Sequence, residues 1–205
     1  MEGRHDVTDE GRLIPKHGGY RKLRSFRAAQ LVYDGTVVFC DRFIEKRSRT
    51  RDQMVQAARS GVQNIAEGSM ASGTSRKMEL KLTGVARASL EELLLDYEDF
   101  LRQRRLRMWD KDSAEALAVR RRYKAGASDG SDRSDRSDAM GPADPYGIRV
   151  GSAEVAANTL ICLVNQASFL LRRQLKGLEE RFLSEGGFTE RLYRERSRAR
   201  RDKSG

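Results

Sequence analysis

The chain has 205 residues, of which 38% are hydrophobic and 34% charged, and it carries a formal net charge of +10. This length supports one sizeable core, and the composition suits long helices with one buried stripe and one charged face. No run of about 18 apolar residues points to a membrane span, and the polar start Met1-Glu2-Gly3-Arg4-His5-Asp6 lacks the apolar centre of a secretory signal. A cytoplasmic protein is therefore expected.

Residues 1–19 hold Gly3, Gly11, Pro15, Gly18 and Gly19 among charges and read as an irregular arm, which carries both histidines, His5 and His17. The first helix is predicted from about Tyr20 to Glu45. Leu23, Phe26, Gln30, Tyr33, Val37 and Ile44 lie near one stripe, and Leu31, Val38 and Phe39 widen it. Thr50 with Gln53 fits a capping box that starts a second helix. Along it, Met54, Ala57, Ala58, Gly61, Val62, Ile65 and Ala66 recur at helical spacing as a seam of mostly small side chains. Gly61 inside a helix costs about 1 kcal/mol against Ala, so a close helix crossing is expected there.

Gly68 to Gly73 is predicted as a turn, with Thr74 or Ser75 capping a third helix to about Arg104. Its stripe is Met78, Leu82, Val85, Leu90, Leu93, Leu94, Tyr97 and Leu101, with an acidic C-terminal half. A shorter helix is predicted over Lys111 to Lys124. From about 125 to 150 the tandem Ser131-Asp132-Arg133 and Ser134-Asp135-Arg136 has little apolar surface to bury and reads as a mobile spacer. A last long helix is predicted from about Ala153 to Ser184, with Leu160, Leu163, Val164, Ala167, Leu170, Leu171, Leu175, Leu178 and Phe182 as its core stripe, ended by Gly186-Gly187. Beyond it, residues 186–205 read as a short helix and a basic tail. The expected fold is all-α: an antiparallel four-helix bundle over 20–185, interrupted by the disordered linker.

The run Gln53-Met54-Val55-Gln56-Ala57-Ala58-Arg59-Ser60-Gly61-Val62-Gln63-Asn64-Ile65-Ala66-Glu67-Gly68 closely resembles the signature helix of a bacterial four-helix-bundle family. That family includes proteins encoded in intervening sequences of ribosomal RNA genes and the accessory variability proteins of diversity-generating retroelements. The likeness extends through Tyr20-Arg21-Lys22-Leu23 and Phe39-Cys40-Asp41-Arg42-Phe43. Downstream, Asn158-Thr159-Leu160-Ile161-Cys162-Leu163 and Glu185-Gly186-Gly187-Phe188-Thr189-Glu190-Arg191-Leu192-Tyr193 resemble the branch with a C-terminal suffix region. The Ser-Asp-Arg tract departs from the family. The resemblance implies a homopentamer with a basic surface facing nucleic acid and, for the retroelement members, contact with a reverse transcriptase and its template RNA.

Catalytic chemistry finds little footing, and no enzyme, metal or cofactor is expected. A di-iron bundle needs Glu-x-x-His pairs, and no histidine lies in a predicted helix. Cys40 and Cys162 form no clustered zinc set and read as small hydrophobes, a disulfide being the lesser alternative. A Ser-His-Asp or Cys-His site would have to recruit a histidine from the arm, and Gly68-Ser69-Met70-Ala71-Ser72-Gly73 lacks the Lys-Ser/Thr ending of a phosphate loop. Asn64 and Glu67 read as structural polar groups, with Arg59 or Lys77 as partners for Glu67.

Two basic clusters carry the functional reading. Arg42, Lys46, Arg47, Arg49 and Arg51 surround the first interhelical turn, and Arg191, Arg194, Arg196, Arg198, Arg200 and Arg201 crowd the terminal segment. Residues 189–205 hold seven basic against three acidic residues, a net +4. No aromatic interleaving suggests base stacking, so the expected function is a non-catalytic, homo-oligomeric scaffold that binds structured nucleic acid, RNA before DNA, through its phosphate backbone. The alternative is an adaptor that docks a protein such as a reverse transcriptase, its charge serving solubility.

Overall fold

A computed structural model describes residues 17–128 and 144–202. Among them the chain is all-helical. A 3-10 turn at Tyr20–Lys22 leads into α1 (Arg24–Phe43), α2 (Arg49–Ala71), α3 (Arg76–Gln103), α4 (Ala114–Ser128), α5 (Ala153–Glu185) and α6 (Phe188–Asp202). The expected arm lies outside the described residues up to residue 16, as does most of the expected linker, 129–143. At the linker's edges α4 continues to Ser128, and Asp144 braces the chain into α5 by accepting the backbone N–H groups of Ile148, Arg149 and Val150.

Serine hydroxyls start four of these helices, Ser113 accepting the Ala116 N–H at 3.2 Å before α4, because an N-cap oxygen satisfies a backbone donor with no partner inside its own helix. Ser75 accepts from Met78 and Ser152 from Val155. The capping box at Thr50 does not form as expected. Ser48 accepts the Thr50 N–H at 3.2 Å instead, and α2 begins at Arg49. The turn expected from Gly68 also comes later, since α2 continues through Gly68 to Ala71. Gly68 is buried where a Cβ would stand 3.3 Å from the Glu79 carbonyl oxygen and from Leu82 Cβ, so its missing side chain lets α3 start close by.

α1 packs on α2 and α5, α3 packs on the same two helices, and α4 lies on α5. Contacts at both ends fix the directions. Near one end, Ser25 of α1 bonds Gln174 of α5 at 2.5 Å, and Arg76 at the start of α3 reaches Glu185 and the Arg181 carbonyl at the end of α5. At the other end Arg42 of α1 holds the Ile148 and Gly151 carbonyls just before α5. α1 and α3 therefore both run antiparallel to α5. α5 has the length and composition to cross a membrane, but 61% of its apolar window is buried inside the protein.

The apolar stripe of α1 is rotated from its expected centre. Ala28, Leu31, Val32, Phe39 and Cys40 are buried, while Phe26, Tyr33 and Val37 are half-buried. Hydrophobic residues on two sides left the choice open by spacing, and the small Ala28, Ala29 and Gly35 decide it by admitting α5 closely; a Cβ on Gly35 would meet Leu160 at 2.7 Å. On α3, Met78 and Val85 are exposed rather than buried, and the core runs through Leu90, Leu93, Tyr97 and Leu101. The expected crossing at Gly61 is present, since a Cβ there would stand 2.8 Å from Leu90 Cδ2.

The core centres on aromatic rings. Phe39 meets Tyr97 and Phe100 edge-on, at centroid separations of 5.0 and 4.8 Å. The buried Tyr97 hydroxyl donates to Thr36 Oγ1 at 2.9 Å, and Thr36 donates to the Val32 carbonyl at 2.7 Å. Removing one partner strands a buried polar atom, whereas removing both does not. Thr36→Val should therefore destabilise by about 1–3 kcal/mol, and adding Tyr97→Phe should recover part of that loss in urea unfolding.

Burial pushes the Cys40 thiol up to about 12, and it raises the Tyr97 phenol as well, against the opposing hydrogen bond to Thr36. The folded state thus holds protons that the unfolded chain releases from about pH 9 upward, so their contribution to stability is present below that pH and fades above it. The urea midpoint should fall between about pH 9 and 11, and Cys40 should resist thiol reagents at pH 8 until the protein unfolds.

Candidate nucleic-acid interface

The two basic clusters meet different fates. In the first, Arg42 is committed to the fold: one Nη donates to the Ile148 carbonyl, the other to Gly151 at 2.8 Å, and the guanidinium lies 4.3 Å from the Phe43 ring centroid. Arg51 pairs with Asp41 at 2.6 Å. Arg49 lines a cleft of about 780 Å³ between α2 and α3, together with Asp52, Gln53, Gln56, Ser60, Ser89, Glu92 and Asp96. Burial, reinforced by Asp99 and Glu92, raises the Asp96 carboxyl. Three carboxylates outnumber Arg49 in this cleft and would repel phosphate. Lys46 and Arg47 are exposed in the turn between α1 and α2.

The second cluster forms α6, where Gly186, at φ 71°, and Gly187 separate it from α5. Phe182 accepts the Gly186 N–H, and Glu190 accepts that of Gly187 at 2.7 Å, so the joint is braced on both sides. Arg194 donates to the Glu185 carbonyl at 2.9 Å. Arg194, Arg196, Arg198, Arg200 and Arg201 are all exposed. Arg194, Arg198 and Arg201 share one face by spacing, and Arg196 and Arg200 share another. Arg191 lies in the first turn of α6. Among the described residues, no extended packing joins α6 to another helix.

These clusters lie at opposite ends of α5, whose 33 residues span roughly 50 Å at 1.5 Å per residue. Within one chain they do not merge. The Asn64 amide bonds the Ser60 carbonyl and hydroxyl, and Ser60 meets Ser89 of α3 at 2.9 Å, which makes Asn64 part of a tie between helices. Glu67 is exposed and pairs with neither Arg59 nor Lys77 among the described residues. Cys40 is buried, Cys162 half-buried, and both are free thiols. No cluster of three or more potential metal ligands occurs among the described residues.

Spacing pointed to the arginines of α6, but not to the exposed Tyr193 three residues before Arg196. Tyr193 is legible as an aromatic at helical spacing from Arg196 and Arg200. Comparison with protein families, curated proteins and solved structures gave no match.

Arg42→Ala should loosen the segment before α5 and lower stability by about 1 kcal/mol, since its bonds are charge-assisted yet partly exposed. Arg196→Ala and Arg198→Ala should leave the thermal midpoint unchanged within the error of a melt.

Proposed function

We propose that the chain is a non-catalytic, homo-oligomeric four-helix-bundle scaffold, related to the intervening-sequence and retroelement accessory proteins, that binds structured RNA through the phosphate backbone. In this reading α1, α2, α3 and α5 are the bundle, and α4 is an outer brace on α5. The observation that carries the reading is α6: a helix with five exposed arginines and little packing of its own, on a chain of net charge +10. Such a helix brings a dense row of cations to an anionic polymer and sacrifices no core contact.

Within the basic surface the reading favours α6 over the first-turn cluster, because Arg42 and Arg51 already serve the fold and Arg49 faces carboxylates. A protein-docking role draws on a different observation. Leu95, Val150 and Leu183 are large apolar side chains at the surface, 58%, 82% and 83% exposed. A partner that co-purifies after nuclease treatment would favour that second role.

The test is binding of a labelled structured RNA across a salt series. Engagement of about four phosphates should cost on the order of a hundredfold in affinity between roughly 50 and 200 mM salt. Replacing Arg196, Arg198 and Arg201 with Gln should weaken binding and flatten that dependence. Absent or salt-indifferent binding would overturn the proposal.

A further inference from the structure

α3 carries an apolar stripe that the described residues of its own chain leave uncovered. Met78, Val85 and Leu95 are exposed, although the spacing places the first two in the core. With Lys81, Ala88 and Glu92, also exposed, they recur at alternating steps of three and four and so fall on one face of the helix. That face lies opposite the buried Leu90, Leu93, Tyr97 and Leu101. Alternating steps of this kind mark the seam of a helix packed along a second helix.

The order of the six residues tells which helix fits. In a second α3 laid antiparallel, with a two-fold axis midway between residues 86 and 87, Met78 faces Leu95, Lys81 faces Glu92 and Val85 faces Ala88. The two-fold axis makes each pair occur twice. Beside the seam, Lys77 comes opposite Glu98. Every layer is therefore apolar on apolar or cation on anion. Other alignments lose this match: a parallel pair sets Lys81 on Lys81 and Glu92 on Glu92, and a slide of seven residues sets Val85 on Lys81 and carries Leu95 past the start of the facing helix.

Two further observations agree. Gly84 lies inside α3, where glycine is disfavoured against alanine, and a Cβ there would meet nothing within 4 Å, unlike at Gly61 and Gly68. Its missing side chain serves no close crossing among the described residues, but it admits a second helix beside the two-fold axis. The cleft next to the stripe sets Asp52, Glu92 and Asp96 against Arg49, and Lys81 of a second copy, opposite Glu92, brings a cation to its rim. Lys77, Lys81, Glu92 and Glu98 are in no ion pair among the described residues.

We infer that α3 packs antiparallel on α3 of a second copy of this chain, through Met78, Lys81, Val85, Ala88, Glu92 and Leu95. The inference rests on the homo-oligomeric part of the reading above, not on RNA binding, and it names the face that makes the contact. The contact is isologous, so by itself it closes at two chains.

The experiment oxidises the full chain carrying Met78→Cys/Leu95→Cys and follows self-association by light scattering. Disulfides between residue 78 of one copy and residue 95 of the other should give a covalent dimer of about 46 kDa, twice the 23.2 kDa chain. Neither single variant should form it, because the two copies of residue 78 stand as far apart as residues 78 and 95 within one helix, roughly 25 Å by helical rise. The unmodified protein is the control for Cys40 and Cys162. Lys81→Glu or Glu92→Lys, both at exposed positions, should weaken self-association at least roughly tenfold, since each puts two like-charged pairs into the contact. Combining the two reversals should restore it, which a fold defect would not allow. An oligomer without the 78–95 link, or one indifferent to both single reversals, overturns the contact and leaves the homo-oligomeric reading standing. A protein that stays monomeric at every concentration overturns both.

Discussion

The hydrogen bond from Tyr97 to Thr36 crosses the centre of the protein. α1 and α3 each pack on α2 and α5, and Tyr97 joins the two across the core they enclose. Its ring meets Phe39 edge-on, and its hydroxyl completes a chain to the Val32 carbonyl. Apolar burial alone would tolerate several rotations of α1, because that helix is hydrophobic on two sides. A buried hydroxyl that must find a partner tolerates far fewer. It therefore helps explain why Leu31, Val32 and Phe39, and not Phe26 and Tyr33, form the inner face.

The consequences reach the surface. With α1 rotated this way, Arg24 and Arg27 come out at the surface, and Arg42 turns to the segment before α5. The small residues of α2 act in the same sense, since Gly61 and Gly68 let α3 approach and leave no room to slide. Packing thus sorts the arginines into those that fasten helix ends, such as Arg42, Arg51 and Arg76, and those that remain at the surface with donors to spare.

Much of the fold was legible in the sequence for local reasons. Ser75 and Gly186 mark helix ends through capping geometry, the stripe of α5 has one unambiguous apolar face, and the need for a close crossing followed from the cost of Gly61. The unreadable parts depended on partners distant in sequence. Nothing near Gly68 shows that α2 continues beneath the start of α3, because that turn depends on Glu79 and Leu82. The basic clusters were visible as charge, but Asp41, Ile148 and Gly151 determine which arginines are occupied.

The most direct test of a nucleic-acid-binding end is backbone hydrogen exchange on the full chain with and without a structured RNA. Slower exchange is expected in α6, with the turn between α1 and α2 unchanged. Protection confined to that turn, or no protection anywhere under conditions where the RNA is in excess, would contradict it.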